Sequence, residues 1–96
     1  MSLEIDIATT PGPGTVMAVR GELDLASVGQ AEEAARPAIA GPGPLLLDLS
    51  DCAFVDSTGL RFVLRLNRKL GDGQPGMAVL VRQPNVWRAF KYRRRS

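Results

Sequence analysis

Histidine is absent from the 96 residues, and cysteine occurs once, at Cys52. Without an imidazole and with one thiol, the chain builds neither a Ser-His-Asp triad nor a Cys-His pair, and it lacks the usual ligands of a zinc site. A serine-nucleophile hydrolase is thereby excluded. No G-x-x-x-x-G-K-[ST] phosphate loop occurs either, so ATP hydrolysis of that class has no support. Asp24, Asp48, Asp51 and Asp56 raise the question of a magnesium cluster, but helix capping and solvation account for such residues equally well. The chain is therefore expected to be no enzyme and to need no cofactor or metal. Cys52 has no partner for an internal disulfide, which fits a reducing compartment. It adjoins an apolar stretch and has no basic neighbour in sequence, so it reads as a small buried hydrophobe. Long apolar runs are missing too: nothing approaches the ~20 residues that cross a bilayer, and Met1 to Thr10 lacks the basic-then-apolar layout of a signal peptide. The expected location is cytoplasmic, with no membrane partner.

What is present is ordinary for one small globular domain over residues 1–96, with 45% apolar and 23% charged residues. The net charge of +2 hides a division, because residues 1–60 carry −7 and residues 61–96 carry +9. Such asymmetry can mark a nucleic-acid surface. Here half of the basic excess falls on one helix face and much of the rest on a terminal basic tail at 91–96, so a solvated face and a tail explain it.

The most informative stretch is Leu45 to Leu70, LLLDLSDCAFVDSTGLRFVLRLNRKL. Leu45, Leu46, Leu47 and Leu49 form a run of the length of a strand buried on both faces. Beyond Asp56-Ser57 the period becomes helical: Leu60, Phe62, Val63, Leu64, Leu66 and Leu70 fall on one side, and Arg61, Arg65, Arg68 and Lys69 on the other. At the junction, Asp56-Ser57-Thr58-Gly59 offers short oxygen-bearing side chains to the free N–H groups of a helix N-terminus. A hydroxyl there meets a partial positive charge and suits an anion such as phosphate. Simple capping by Asp56 and Ser57 is the competing explanation.

The remaining elements follow from period and punctuation. Leu3 to Ala8 alternates apolar and acidic residues, as a half-exposed strand does. Pro11 to Gly14 forces a turn, and Thr15 to Glu22 returns as the second arm of a hairpin, ended by Gly21. Leu25, Val28, Ala31, Ala35 and Ile39 predict a helix from Leu25 to Ala40, with Pro37 restricting its last turn. Gly41 to Pro44 stops it. Gly71 to Gly76 is a loop, Met77 to Val81 a compact apolar strand, and Asn85 a cap for a helix starting at Val86, with Val86, Trp87 and Phe90 on its apolar face. The order β-β-α-β-α-β-α predicts an α/β domain: a small mixed sheet covered by helices.

The stretch Leu45–Leu70 resembles the signature of STAS domains, the family named for sulfate transporters and anti-sigma factor antagonists, in which D-S-[ST]-G-[LI] follows a buried strand. Val19-Arg20-Gly21-Glu22-Leu23-Asp24 resembles the family's G-x-[LI]-D stretch. The two lie in the right order over about residues 3–85. The family usually adds a short strand and a final helix after the third helix, roughly 15 to 20 residues by usual element lengths, and this chain shows none; exposed apolar surface and a homodimer are expected in consequence.

The resemblance implies an anti-sigma factor antagonist (anti-anti-sigma factor), a transcription regulator that works by partner switching. The unmodified domain would bind an anti-sigma factor with serine kinase activity and release the sigma factor it held. Phosphorylation of Ser57 would switch the domain off, and a serine phosphatase would reverse the mark. Asp24 would orient the Ser57 hydroxyl or contact the partner. Asp56, Thr58 and Gly59 would shape the loop, and Arg61, one helical turn from Ser57, would reach its phosphate. Two other readings stand beside this one. A STAS scaffold or sensor module would use the fold without a phosphoserine cycle. A nucleic-acid-binding protein would use the basic helix face and tail, though that stripe lacks interleaved aromatics.

Overall fold

The computed structural model describes residues 3–9, 14–41, 43–71 and 76–94. The turn at 11–13, the centre of the loop at 72–75 and the side chains of the basic tail at 91–96 lie outside the described residues. The elements are β1 (Leu3–Thr9), β2 (Thr15–Leu23), α1 (Val28–Ala40), β3 (Leu45–Leu49), β4 (Cys52–Val55), α2 (Ser57–Gly71), β5 (Met77–Val81) and α3 (Pro84–Arg94). The sheet runs β1-β2-β3-β5, with β4 also paired to β2. β1 and β2 form the expected antiparallel hairpin, and every other pairing is parallel.

Both crossovers, β2-α1-β3 and β4-α2-β5, step along the sheet in one direction. Right-handed connections of this kind put their helices on the same face, and α1 and α2 touch each other as well as the sheet. Met17, Val19 and Leu23 of β2 and Leu45, Leu47 and Leu49 of β3 are buried beneath them. The intervening residues lie on the opposite face: Leu46 is 36% exposed. β3 is thus not buried on both faces as its leucine run suggested, because these helices cover one face only. Arg20 lies on the open face and bridges to Glu4 at 3.4 Å and Asp6 at 2.7 Å across the hairpin.

Three boundaries differ from the sequence expectation. Gly21 does not end β2; at φ +105° it allows a bulge, and the strand continues to Leu23 alongside β4. β4 itself is an additional strand: after Leu49 the chain turns at Ser50-Asp51 and resumes pairing with the second half of β2. α1 begins at Val28 and leaves Leu25 outside, 74% exposed. Pro37 is exposed and tolerated within α1, and its carbonyl accepts the Gly41 N–H at 2.9 Å.

α2 follows its amphipathic pattern. Leu60, Phe62, Val63, Leu66 and Leu70 are buried and Leu64 half-buried, while Arg61, Arg65, Arg68 and Lys69 are exposed. α3 starts two residues earlier than expected, with Pro84 in its first turn, where the missing N–H costs nothing. The Gln83 carbonyl accepts the Trp87 N–H at 2.9 Å. Asn85 is therefore no cap, and its amide donates to the Ala53 carbonyl at 2.8 Å, tying α3 to β4. Val86 and Phe90 share the inward side of α3, whereas Trp87 is 52% exposed and departs from the expected apolar face.

Candidate functional site

Leu23 and Val55 are register partners at the ends of the parallel strands β2 and β4. The residues that follow them, Asp24-Leu25 and Asp56-Ser57, therefore leave the sheet side by side at its carboxyl edge, where sites of open α/β sheets collect. The Asp56 N–H donates to the Leu23 carbonyl at 3.2 Å and fixes this alignment.

Asp56 is the organising residue. Its Oδ1 accepts the Gly59 N–H at 2.8 Å, and its backbone carbonyl accepts the Leu60 N–H at 2.9 Å, the geometry of an N-cap. Its other oxygen, Oδ2, accepts the Leu25 N–H at 3.1 Å. One carboxylate thus satisfies the start of α2 and pins the loop after β2. Ser57 is then the first residue inside α2, exposed, and among the described residues no hydrogen bond engages its hydroxyl. Of the two candidate caps in the sequence, Asp56 does the capping.

Gly59 explains why the loop is so close to the sheet. A Cβ at this position would lie 2.3 Å from the Leu23 carbonyl oxygen and 2.9 Å from Leu23 Cγ. Glycine lets the first turn of α2 rest on the end of β2, with Thr58 half-buried beside it.

Asp24 is used differently from the expectation. Its Oδ1 accepts the Ser27 N–H and the Ser27 hydroxyl, each at 3.1 Å, and its own N–H donates to Ser27 Oγ at 3.0 Å. The Ser27 hydroxyl also lies 2.8 Å from the Glu22 carbonyl. This closed turn displaces the start of α1 to Val28. The structure brings Asp24 and Ser57 to one edge of the sheet, but among the described residues no hydrogen bond joins them. The D-x-x-S spacing of Asp24 and Ser27 was the sequence signal for the turn, and it explains why Leu25 is not on the helix.

Arg61 is exposed on α2 at i+4 from Ser57, without an ion pair among the described residues. Arg65, on the same stripe, meets Glu32 of α1 at 2.6 Å. Cys52 is buried, and burial pushes its thiol pKa up. No cluster of three potential metal ligands occurs among the described residues, and no helix is long and apolar enough to cross a membrane.

Residues 8–90 match the family described as "Mlab, STAS domain". No protein of curated function matches the chain. Among solved structures, an anti-sigma factor antagonist from Mycobacterium paratuberculosis is 29% identical, with a TM-score of 0.86, over 96% of this chain and 78% of that one. The anti-sigma factor antagonist SpoIIAA in its unphosphorylated form is 24% identical, with a TM-score of 0.76, over 94% of this chain and 80% of that one. The Bacillus cell fate determinant SpoIIAA in its phosphorylated form is 22% identical, with a TM-score of 0.73, over 94% and 83%.

Proposed function

The chain belongs to the STAS domain family, and on that premise we propose that it is an anti-sigma factor antagonist switched by phosphorylation of Ser57. The observation that carries this reading is the division of labour at the start of α2: Asp56 caps the helix, and the Ser57 hydroxyl stands exposed with no hydrogen bond among the described residues. The 29% identical neighbour bears the name of an anti-sigma factor antagonist, and SpoIIAA, at 22% identity, has been solved phosphorylated, both of which support the reading. The partner is an anti-sigma factor with serine kinase activity, and a serine phosphatase resets the switch. ATP and magnesium belong to the kinase. This chain is substrate and binder.

The physical basis is local charge. A phosphate adds about −1.5 to −2 charges at an edge that already carries Asp24 and Asp56. A partner surface fitted to a neutral hydroxyl then has to accommodate a dianion beside two carboxylates. A loss of about 3 kcal/mol weakens binding by more than a hundredfold. A pull-down with unmodified protein is expected to recover an ATP-binding anti-sigma factor. Ser57→Asp is expected to lose it, and Ser57→Ala to keep it while taking no phosphate from kinase and ATP, read by intact mass. Equal labelling of Ser57→Ala removes Ser57 as the acceptor.

A scaffold reading without phosphorylation draws on the matched family's own description, which names Mlab and not an anti-sigma factor antagonist. Binding of a partner with no mass increase under kinase and ATP would favour it.

A further inference from the structure

We infer that Leu25 is the apolar anchor of the partner-binding surface, held in place beside Ser57 by Asp56. This rests on the partner-switching reading above and names a determinant that the sequence motif does not contain. At 74% exposure Leu25 is the most open large apolar side chain among the described residues. Its backbone is nevertheless fixed. The Leu25 N–H is bound by Asp56 Oδ2, and the reciprocal Asp24–Ser27 hydrogen bonds close the turn that carries it. A rigid backbone presenting a leucine to water loses little freedom when a partner covers it.

The charges around this edge indicate what covers it. Asp24 and Asp56 follow the carboxyl ends of β2 and β4 at this edge, with Glu22 next to them in β2. A second copy of the chain would set acid against acid. The occupant is therefore a different protein, presenting an apolar socket with a basic rim. Asp56 also couples anchor and switch: a phosphate on Ser57 repels the carboxylate that holds the Leu25 backbone.

The test uses the purified anti-sigma factor identified in the pull-down, titrated calorimetrically with full-length variants. Leu25→Ala should leave the thermal midpoint unchanged and raise Kd about thirtyfold, the loss of about 2 kcal/mol typical of an interface anchor, while Leu25→Met stays within about threefold. Asp56→Asn, which removes a charge and turns one oxygen into a donor, should weaken binding more in the Leu25 background than in the Leu25→Ala background. That non-additivity distinguishes positioning from general loss of structure. Near-wild-type affinity of Leu25→Ala, beside a more than hundredfold loss for Ser57→Asp, would overturn the anchor and keep the partner-switching reading. A lowered midpoint of Leu25→Ala, or loss of self-association in place of partner binding, would also overturn it. Unchanged affinity of both Leu25→Ala and Ser57→Asp, or no anti-sigma factor in the pull-down, would overturn the reading and the anchor together.

Discussion

At the scale of single residues, the first turn of α2 contains a glycine whose sign of substitution is decided by geometry. Replacing a helical glycine by alanine normally stabilises by up to about 1 kcal/mol. At Gly59 the new Cβ would lie 2.3 Å from a backbone oxygen that cannot swing away. Gly59→Ala is therefore expected to destabilise by about 1–3 kcal/mol, the usual cost of overpacking, read as a lower midpoint in a denaturant titration. Asp56→Ala removes the acceptor of the Gly59 and Leu25 N–H groups at once, so its loss should exceed the ~1 kcal/mol of an ordinary N-cap. Arg61 gives a further prediction. Its guanidinium, one turn from Ser57, is expected to meet the phosphate, so that phosphorylation shifts the thermal midpoint differently in Arg61 and Arg61→Ala proteins, with the difference shrinking in high salt. An equal shift in both would leave the phosphate without Arg61 as partner.

At the scale of elements, the break between β3 and β4 directs the chain toward Asp56, and Asp48 holds that break. Its carboxylate accepts the Ser50 hydroxyl and, at 3.0 Å, the Ser50 N–H. These bonds, the hydroxyl first, hold the Asp48 pKa below its ordinary value, with a smaller contribution from Arg82. A carboxylate with a depressed folded pKa stabilises the fold above its unfolded pKa and loses that contribution as pH falls through the folded value. Stability should therefore decline below about pH 4, and Asp48→Asn should reduce the difference between denaturation midpoints at pH 7 and pH 3. A pH difference identical to wild type would remove Asp48 from the acid response. The α1–α2 ion pair of Arg65 and Glu32 is half-exposed on both sides, so its removal should cost less than about 1 kcal/mol.

At the scale of the whole molecule, the two ends of the chain's charge division serve different surfaces. The acidic half supplies the carboxyl edge of the sheet around Ser57 and Leu25, and the basic half supplies the outer face of α2. On the far side, β5 pairs among the described residues only with β3, and its five residues contain neither charge nor proline. Val79 is 37% and Leu80 48% exposed, and a groove of about 340 Å³ lined by Val63, Leu64, Val79, Val81, Trp87 and Phe90 opens beside the strand. An uncharged edge of this kind pairs readily with a second strand. Concentration-dependent dimerisation in the micromolar range is expected, with Leu80→Lys shifting it toward monomer in sedimentation. A strictly monomeric mass across that range would count against the edge as a contact. Such a dimer leaves the Ser57 edge free.

The sequence by itself determined the elements whose apolar period is strong and local. The amphipathic span Leu60–Leu70 could bury only one side, the Leu3–Ala8 alternation could form only a half-exposed strand, and the D-S-T-G junction marked a helix start with a serine in it. Tertiary structure decided what depends on contacts distant in the chain. β4 is too short to announce itself and exists because β2 offers it a parallel partner. Leu25 has helical spacing with Val28, yet the Asp24–Ser27 turn and the carboxylate of Asp56, thirty-one residues away, hold it outside the helix. The choice between Asp56 and Ser57 as the cap was likewise open in the sequence, since both residue types accept hydrogen bonds. In the fold Gly59 packs against Leu23 and its N–H meets the Asp56 carboxylate, so Asp56 is the cap and the Ser57 hydroxyl is exposed.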